Sequence, residues 1–304
     1  MIDVHEFLVC PISKQPMEQR GSDYQAPCGF VYPDADFRVN LDFSAHWAAE
    51  QDEYETWLRQ WRQDADTTPG RPEEIDAAFE DVYAQIKLEG LVLDVAGDIG
   101  TVVTQANIDP ESYVSIDTMR VDFAAIERDF PRYAAHYRRS RDACFLQGSA
   151  EFLPVKDGYF DCVHLRGCLD HFTGPHLALL EAFRVLRPGG KVVVGVTLEG
   201  AYQMEVGDWG PSGSPVLQQA LRAGVAKLKQ YPQVFGPLSR IKWRLQGVED
   251  HHLFHPTHQS LTDLIERCGF VIETEVWQQA YHNVLYVSAR KSEVVSPYHP
   301  GQAA

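Results

Sequence analysis

From Leu91 onward, short apolar runs alternate with longer segments of helical period, and no other feature limits the possible folds so sharply. "LVLDV", "YVSID", "ACFLQ", "FDCVHL" and "KVVVGV" read as buried strands, and "VDFAAIERDF" and "HLALLEAFRVL" as the helices between them. Strands that lack a polar face need cover on both sides, and right-handed βαβ crossovers supply it. The expectation is an α/β fold built on a doubly wound, Rossmann-like parallel sheet. The closing segments, "SLTDLIERCGFVIETEVW" and then "NVLYVSARK", predict a helix, a turn at Gly269 and two strands antiparallel to each other.

Upstream of the sheet, residues 1–41 form a unit with Cys10, Cys28 and short β-like runs, too small to hold a core alone. Residues 42–90 form a helical extension. In "AHWAAEQDEYETWLRQWRQ", Trp47, Tyr54, Leu58 and Trp61 recur near a 3.6-residue period, and Trp57 pairs with Trp61 at i, i+4, which predicts an aromatic core face. "DADTTPGRP" is a linker by its Pro, Gly and Thr, and the following helix carries Ile75, Phe79, Val82, Tyr83 and Ile86 on one face. Residues 91–304 make the third unit. Within it, residues 199–250 break the alternation with "GDWGPSGSP" and "YPQVFGPLSRIKW", which predicts a helical and loop insertion over the site.

The candidate site follows from strand ends. In "LVLDVAGDIGTVVT", Asp94 ends the first strand and Gly97 and Gly100 lie in the next turn, while Asp117 ends the second strand 19 residues after Asp98. Ligands of doubly wound sheets sit at the carboxyl ends of the strands, where an acid after the second strand can accept both hydroxyls of a ribose. A nucleoside-containing ligand is therefore expected. The net charge of −16 gives no help to nucleic-acid binding, and Arg138, Arg139 and Arg141 read as a solvated helix end. No apolar run reaches 18 residues, and "MIDVHEFLVC" lacks a basic leader, so a cytoplasmic protein without a membrane segment is expected. The six cysteines suit buried, reduced thiols.

The stretch "GSAEFLPVKDGYFDCVHLRGCLDHF" resembles the class I S-adenosylmethionine-dependent methyltransferases, in particular the small-molecule, methyltransferase type 11-like branch. Gly148, Ala150, Leu153, Pro154, Asp157, Phe160, Asp161, Val163, Leu169 and His171 match its pattern. "EAFRVLRPGGKVVV" matches the family's helix, turn and fifth strand, and the resemblance covers residues 75–291 apart from 199–247. It implies a seven-stranded sheet with S-adenosylmethionine as cofactor. Asp94, Ala96, Gly97, Asp98 and Gly100 would lie along its methionine part. Asp117 and Thr118 would take the ribose, Ser149 and Ala150 would face the adenine, and Arg166 and Gly167 would close the pocket.

Two departures from the family pattern fall together. Its acid-x-Gly-x-Gly-x-Gly loop reads Asp94, Ala96, Asp98, Gly100 here, and Ser149 replaces the usual adenine-contacting acid. Asp98 would set a carboxylate near the cofactor's own, where like charges repel. One expectation is methyl transfer to a small-molecule acceptor. The alternative is a repurposed fold that no longer uses the cofactor for methyl transfer, acting as a lyase- or cyclase-like enzyme or as a non-catalytic partner protein.

His171, just after the fourth strand, and His252 are the candidate catalytic bases, since imidazole titrates near neutrality. His251, His252, His255 and His258 have a spacing that could hold a metal, yet they coincide with the family's His-rich turn, and no metal is expected. The N-terminal unit resembles small zinc ribbons through Cys10, Pro11, Cys28, Gly29, Tyr32 and Pro33. The other two ligand positions hold Ser13 and Gln25, so a metal-free remnant held by packing is expected. A homodimer is possible.

Overall fold

The computed structural model describes residues 3–38, 44–198, 256–278 and 284–293. The predicted insertion, His251, His252 and His255 lie outside the described residues, as does the Trp47 side chain.

Three short antiparallel strands, β1 (Glu18–Arg20), β2 (Asp23–Gln25) and β3 (Val31–Tyr32), form a small sheet near the N-terminus. The main sheet comprises β4 (Asp36–Phe37), β5 (Val92–Val95), β6 (Tyr113–Asp117), β7 (Cys144–Gly148), β8 (Phe160–Arg166), β9 (Leu186–Thr197), β10 (Phe270–Gln278) and β11 (Val284–Lys291). Its order is β10-β11-β9-β8-β5-β6-β7-β4. Every neighbouring pair from β9 to β4 is parallel, and β11 runs antiparallel to both β9 and β10.

The doubly wound α/β architecture is thus present, with one change to its expected seven strands. An eighth comes from the N-terminal unit, where Asp36 and Phe37 pair with Gln147 and Gly148 at the outer edge. Phe37, Tyr32, Tyr24 and Phe7 are buried in the same cluster as Leu93, Val114 and Val163, so the small unit completes its core on the large sheet. That is the neighbour it needs at this size.

The central strands are apolar on both faces because both are covered. Leu93 and Val95 meet Val163, Leu165 and helix α6 (Pro175–Val185), while Val92 meets Tyr113, Cys162 and the Val82, Tyr83 and Ile86 side chains of helix α2 (Arg71–Gln85) and its end. The Arg187–Gly190 stretch, expected as a turn, lies within the span of β9 as an irregularity opposite Phe160 and Cys162.

Helix α1 (Ser44–Thr67) absorbs the first four residues of the expected linker and α2 the last two, leaving only residues 68–70 between them. The extra turn is held by side chains. Asp64 accepts hydrogen bonds from Thr68 Oγ1 and Arg71 Nε at 3.1 Å each, and Asp66 accepts from the Arg132 and Tyr133 amides at the start of α5 (Pro131–His136). The aromatic face of α1 also splits. Leu58 is buried and Trp61 meets Tyr133 edge-on at 5.7 Å, whereas Trp57 is 54% exposed and stacks on Tyr54.

Candidate active site

Strand β5 is the switch point of the sheet, since β6 lies on one side of it and β8 on the other. A crevice opens at such points, and the loop leaving β5 borders it. This loop keeps a backbone that suits glycine although glycine is mostly absent. Ala96 (φ +58°), Asp98 (φ +45°) and Gly100 (φ +73°) all take the left-handed conformation. A left-handed residue other than glycine costs roughly 1–2 kcal/mol, least for Asp. The loop is held by the Ala96 amide donating to the Ile116 carbonyl at 2.7 Å and by Ser115 Oγ donating to the Asp98 carbonyl at 3.2 Å. Gly97 is the position that admits no side chain. A Cβ there would lie 2.7 Å from Ser115 Oγ and 2.8 Å from Asp94 Oδ2.

Above the loop, Asp98 and Asp117 come together. The Asp98 amide donates to Asp117 Oδ2 at 3.1 Å and the Met119 amide to Oδ1 at 2.9 Å. Burial lifts the Asp117 carboxyl to about 6, against these two amide hydrogen bonds and with the Asp98 carboxylate adding to the rise. Asp98 itself is neutralised from α1, whose Arg62 donates to Asp98 Oδ1 at 2.5 Å. Arg62 is 9% exposed, and its buried Nε has no hydrogen-bond partner among the described residues. Tyr54 on α1 is 37% exposed and stacks on Trp57, and its phenol is pushed up by desolvation and further by the carboxylates of Asp98 and Asp117.

Beneath the loop lies a second polar cluster, inside the sheet. Asp94 is 2% exposed and accepts from the Tyr113 hydroxyl, while its other oxygen pairs with His164 Nδ1 at 2.7 Å. His164 Nε2 lies 3.3 Å from the Tyr83 hydroxyl, which accepts from Arg166 at 3.2 Å. Arg166 also donates to Gln105 and, at 2.8 Å, to Thr101 Oγ1, with its guanidinium 4.7 Å from the centre of the Phe79 ring. Asp94 and Arg166 therefore brace the loop and the start of helix α3 (Val102–Gln105) from the α2 side of the sheet.

The remaining residues singled out by sequence are spread along the same edge. Thr118 Oγ1 is 3.5 Å from Asp117 Oδ1, and Ser149 and buried Ala150 directly follow β7. Gly167 follows β8 with φ +60° and open space where a side chain would stand, and His171 closes the short turn Leu169–His171. His258 starts helix α7 (His258–Arg267) and pairs with Glu275 on β10 at 2.8 Å. Among the described residues no three His, Cys, Asp or Glu side chains gather as a metal site would require.

Sequence reasoning missed Arg62 and His164. Arg62 had a detectable signal: with Leu58 and Ala65 it lies on one buried stripe at i, i+4, i+7, and a charge on such a stripe demands a partner. His164 becomes meaningful only through the β5–β8 register, which sets it opposite Asp94.

Residues 93–194 match the family model described as "Methyltransferase domain". The chain is 46% identical over 50 residues to the ubiquinone/menaquinone biosynthesis C-methyltransferase UbiE of Vibrio cholerae, covering 16% of this chain and 19% of that protein. It is 30% identical over 144 residues to the demethylmenaquinone methyltransferase of Renibacterium salmoninarum, covering 41% of this chain and 59% of that protein. Both matches thus span less than two thirds of the relatives' length. A solved structure of the Burkholderia thailandensis 1,6-didemethyltoxoflavin-N1-methyltransferase, holding its substrate and S-adenosylhomocysteine, superposes with a TM-score of 0.48 at 13% identity over 91% of this chain and 99% of that one. The matched stretch, residues 93–194, holds the loop, Asp117, Ser149, Arg166 and His171.

Proposed function

We propose that this protein transfers a methyl group from S-adenosylmethionine to a small-molecule acceptor. The observation that carries the proposal is the loop after β5, which keeps left-handed backbone at residues 96, 98 and 100 directly beside Asp117. Strain of this kind persists where surrounding structure over-determines it, and it concentrates at ligand-binding sites. The residues present fit the cofactor. Gly97 allows close backbone approach, Asp117 offers a carboxylate at the second strand end, and Arg62 has a buried N–H still to be satisfied beside the loop.

When bound, S-adenosylmethionine supplies an electrophilic methyl group for in-line displacement. The chain's part is to bind, orient and exclude water. In this reading Asp117, once ionised, accepts the ribose hydroxyls. Arg62 offsets the Asp98 carboxylate so that a second carboxylate is tolerated nearby, and Tyr54 covers the crevice. Ser149 and Ala150 flank the adenine. His171 takes a proton where the acceptor is a hydroxyl or a protonated amine, and His252 is the other candidate for that role. Arg166 and Gly167 close the far side, Arg166 through its hold on Thr101 at the end of the loop.

A second reading keeps the fold and drops the methyl transfer. It is favoured by one feature, the Arg62–Asp98 ion pair, which occupies the loop's rim with side chains where glycine would leave it bare. Calorimetric titration with S-adenosylmethionine and S-adenosylhomocysteine, beside an Asp98→Gly variant, separates the two. Micromolar binding by the native chain supports the proposal. Binding that appears only in Asp98→Gly means the loop is switched off and overturns it. Turnover unchanged in His171→Ala removes the proton-transfer role from that residue.

A further inference from the structure

The N-terminal unit carries chemistry that the site above does not use. Cys10 Sγ and Cys28 Sγ lie 3.7 Å apart, brought together from just before the turn at residues 11–13 and from the turn between β2 and β3. Their surroundings differ. Cys10 is fully buried, with the Ser13 amide donating to its sulfur at 3.4 Å and the Tyr32 hydroxyl 3.2 Å away, whereas Cys28 is exposed. Burial pushes the Cys10 thiol up, but the hydrogen bonds from Ser13, Tyr32 and Ile12 outweigh it and bring it down to about 7. A thiol that ionises near neutrality is a competent nucleophile toward a neighbouring oxidised sulfur. Two thiolates fall short of the four ligands of a structural zinc site, and no third His, Cys, Asp or Glu joins them among the described residues.

We propose that Cys10 and Cys28 form a reversible dithiol–disulfide pair that responds to peroxide. The exposed Cys28 thiol releases its proton and, as the thiolate, attacks hydrogen peroxide, giving Cys28 sulfenic acid and hydroxide, which takes up that proton as one water. The Cys10 thiolate then attacks the Cys28 sulfur and expels hydroxide, which takes up the proton Cys10 released and leaves as a second water. Two thiols and one peroxide thus give one disulfide and two waters, and a small-molecule thiol reverses the bond by exchange. The bond staples the turn after Cys10 to the turn at Cys28, 18 residues apart, in a unit whose own strands are two or three residues long. That unit pairs with the connection between β7 and β8, through Leu8 opposite Val155 and through the Val9 amide donating to the Pro154 carbonyl at 3.0 Å, and with β7 itself through β4, so the staple acts on the flank of the sheet.

The test is peptide mapping of the full chain after one equivalent of hydrogen peroxide and alkylation. The expected product is a cross-linked peptide pair containing Cys10 and Cys28, two hydrogens lighter than the separate peptides and released by dithiothreitol. Cys28→Ser, at an exposed position, removes the cross-link and leaves Cys10 reduced, while Cys10→Ala leaves a Cys28 sulfenic acid that dimedone traps. Both thiols still alkylated in the native chain after peroxide would overturn the proposal. So would stoichiometric zinc in the purified protein that is lost in Cys28→Ser, since the pair would then be a metal site.

Discussion

Replacing Arg62 by Met tests whether the charge on α1 makes the altered loop workable. The Arg62 and Asp98 side chains are 11% and 24% exposed, and the contact is 2.5 Å. Breaking a fully buried pair by removing one partner costs about 3–5 kcal/mol, and the partial exposure of Asp98 reduces this to about 2 kcal/mol, read as a lower urea midpoint at unchanged slope. The effect on binding is separate. A cofactor carboxylate at roughly 5 Å from an uncompensated Asp98 meets about 3 kcal/mol of repulsion at an effective dielectric of about 20, and salt screening leaves about 10- to 100-fold in Kd. Calorimetry with S-adenosylhomocysteine reads that loss. The double variant Arg62→Met, Asp98→Gly removes both the charge and the strained Asp, so it should recover most of the affinity, with a coupling of at least about 1 kcal/mol. Stability within about 0.5 kcal/mol of the native chain, together with additive effects on Kd, would refute the role given to Arg62.

Three further outcomes are expected. Ala96→Gly relieves a left-handed non-glycine residue and should stabilise the protein by about 1 kcal/mol in urea denaturation, less the entropy glycine adds to the unfolded chain, with Kd unchanged. Gly97→Ala forces a Cβ against Ser115 and Asp94 and should cost about 1–3 kcal/mol and abolish S-adenosylhomocysteine binding by calorimetry. The Asp117 carboxyl sits at about 6, above its ordinary 3.8, so the folded state takes up a proton that the unfolded state does not hold. Its contribution to stability is present below the unfolded value and lost as pH rises through about 6, whereas ribose hydroxyls favour the ionised form. S-adenosylhomocysteine affinity should therefore fall about tenfold per pH unit below 6, and Asp117→Asn should flatten that profile.

The sheet was legible because its strands are covered on both faces and so form unbroken apolar runs; all five predicted parallel strands lie where their runs predict. The place of Asp117 at the end of the second strand was legible for the same reason, whereas the hydrogen bond from the Asp98 amide to its carboxylate was not. What escaped depends on pairing between distant segments. Asp94 reads in sequence as a ligand contact, yet its burial follows from alternation, which puts it on the Val92 face, and from a register that opposes it to His164. Arg62 and Asp98 are 36 residues apart, and only the packing of α1 across the loop joins them. The eighth strand is two residues long, too short to carry any period, and the helical end of α1 was hidden because Asp and Thr favour loops until a tertiary partner such as the α5 amides claims them.

The pairing of β4 with β7 has a consequence for anyone wishing to study the large-sheet domain alone. Without residues 36 and 37 the amides and carbonyls along β7 become the open margin of a parallel sheet, with Phe7, Tyr24 and Tyr32 no longer covering the apolar surface beside it. Such a margin is a template for another chain, and truncated protein would self-associate along it. The small N-terminal unit thus serves as a guard on the sheet, and the shortest well-behaved form of this protein includes it.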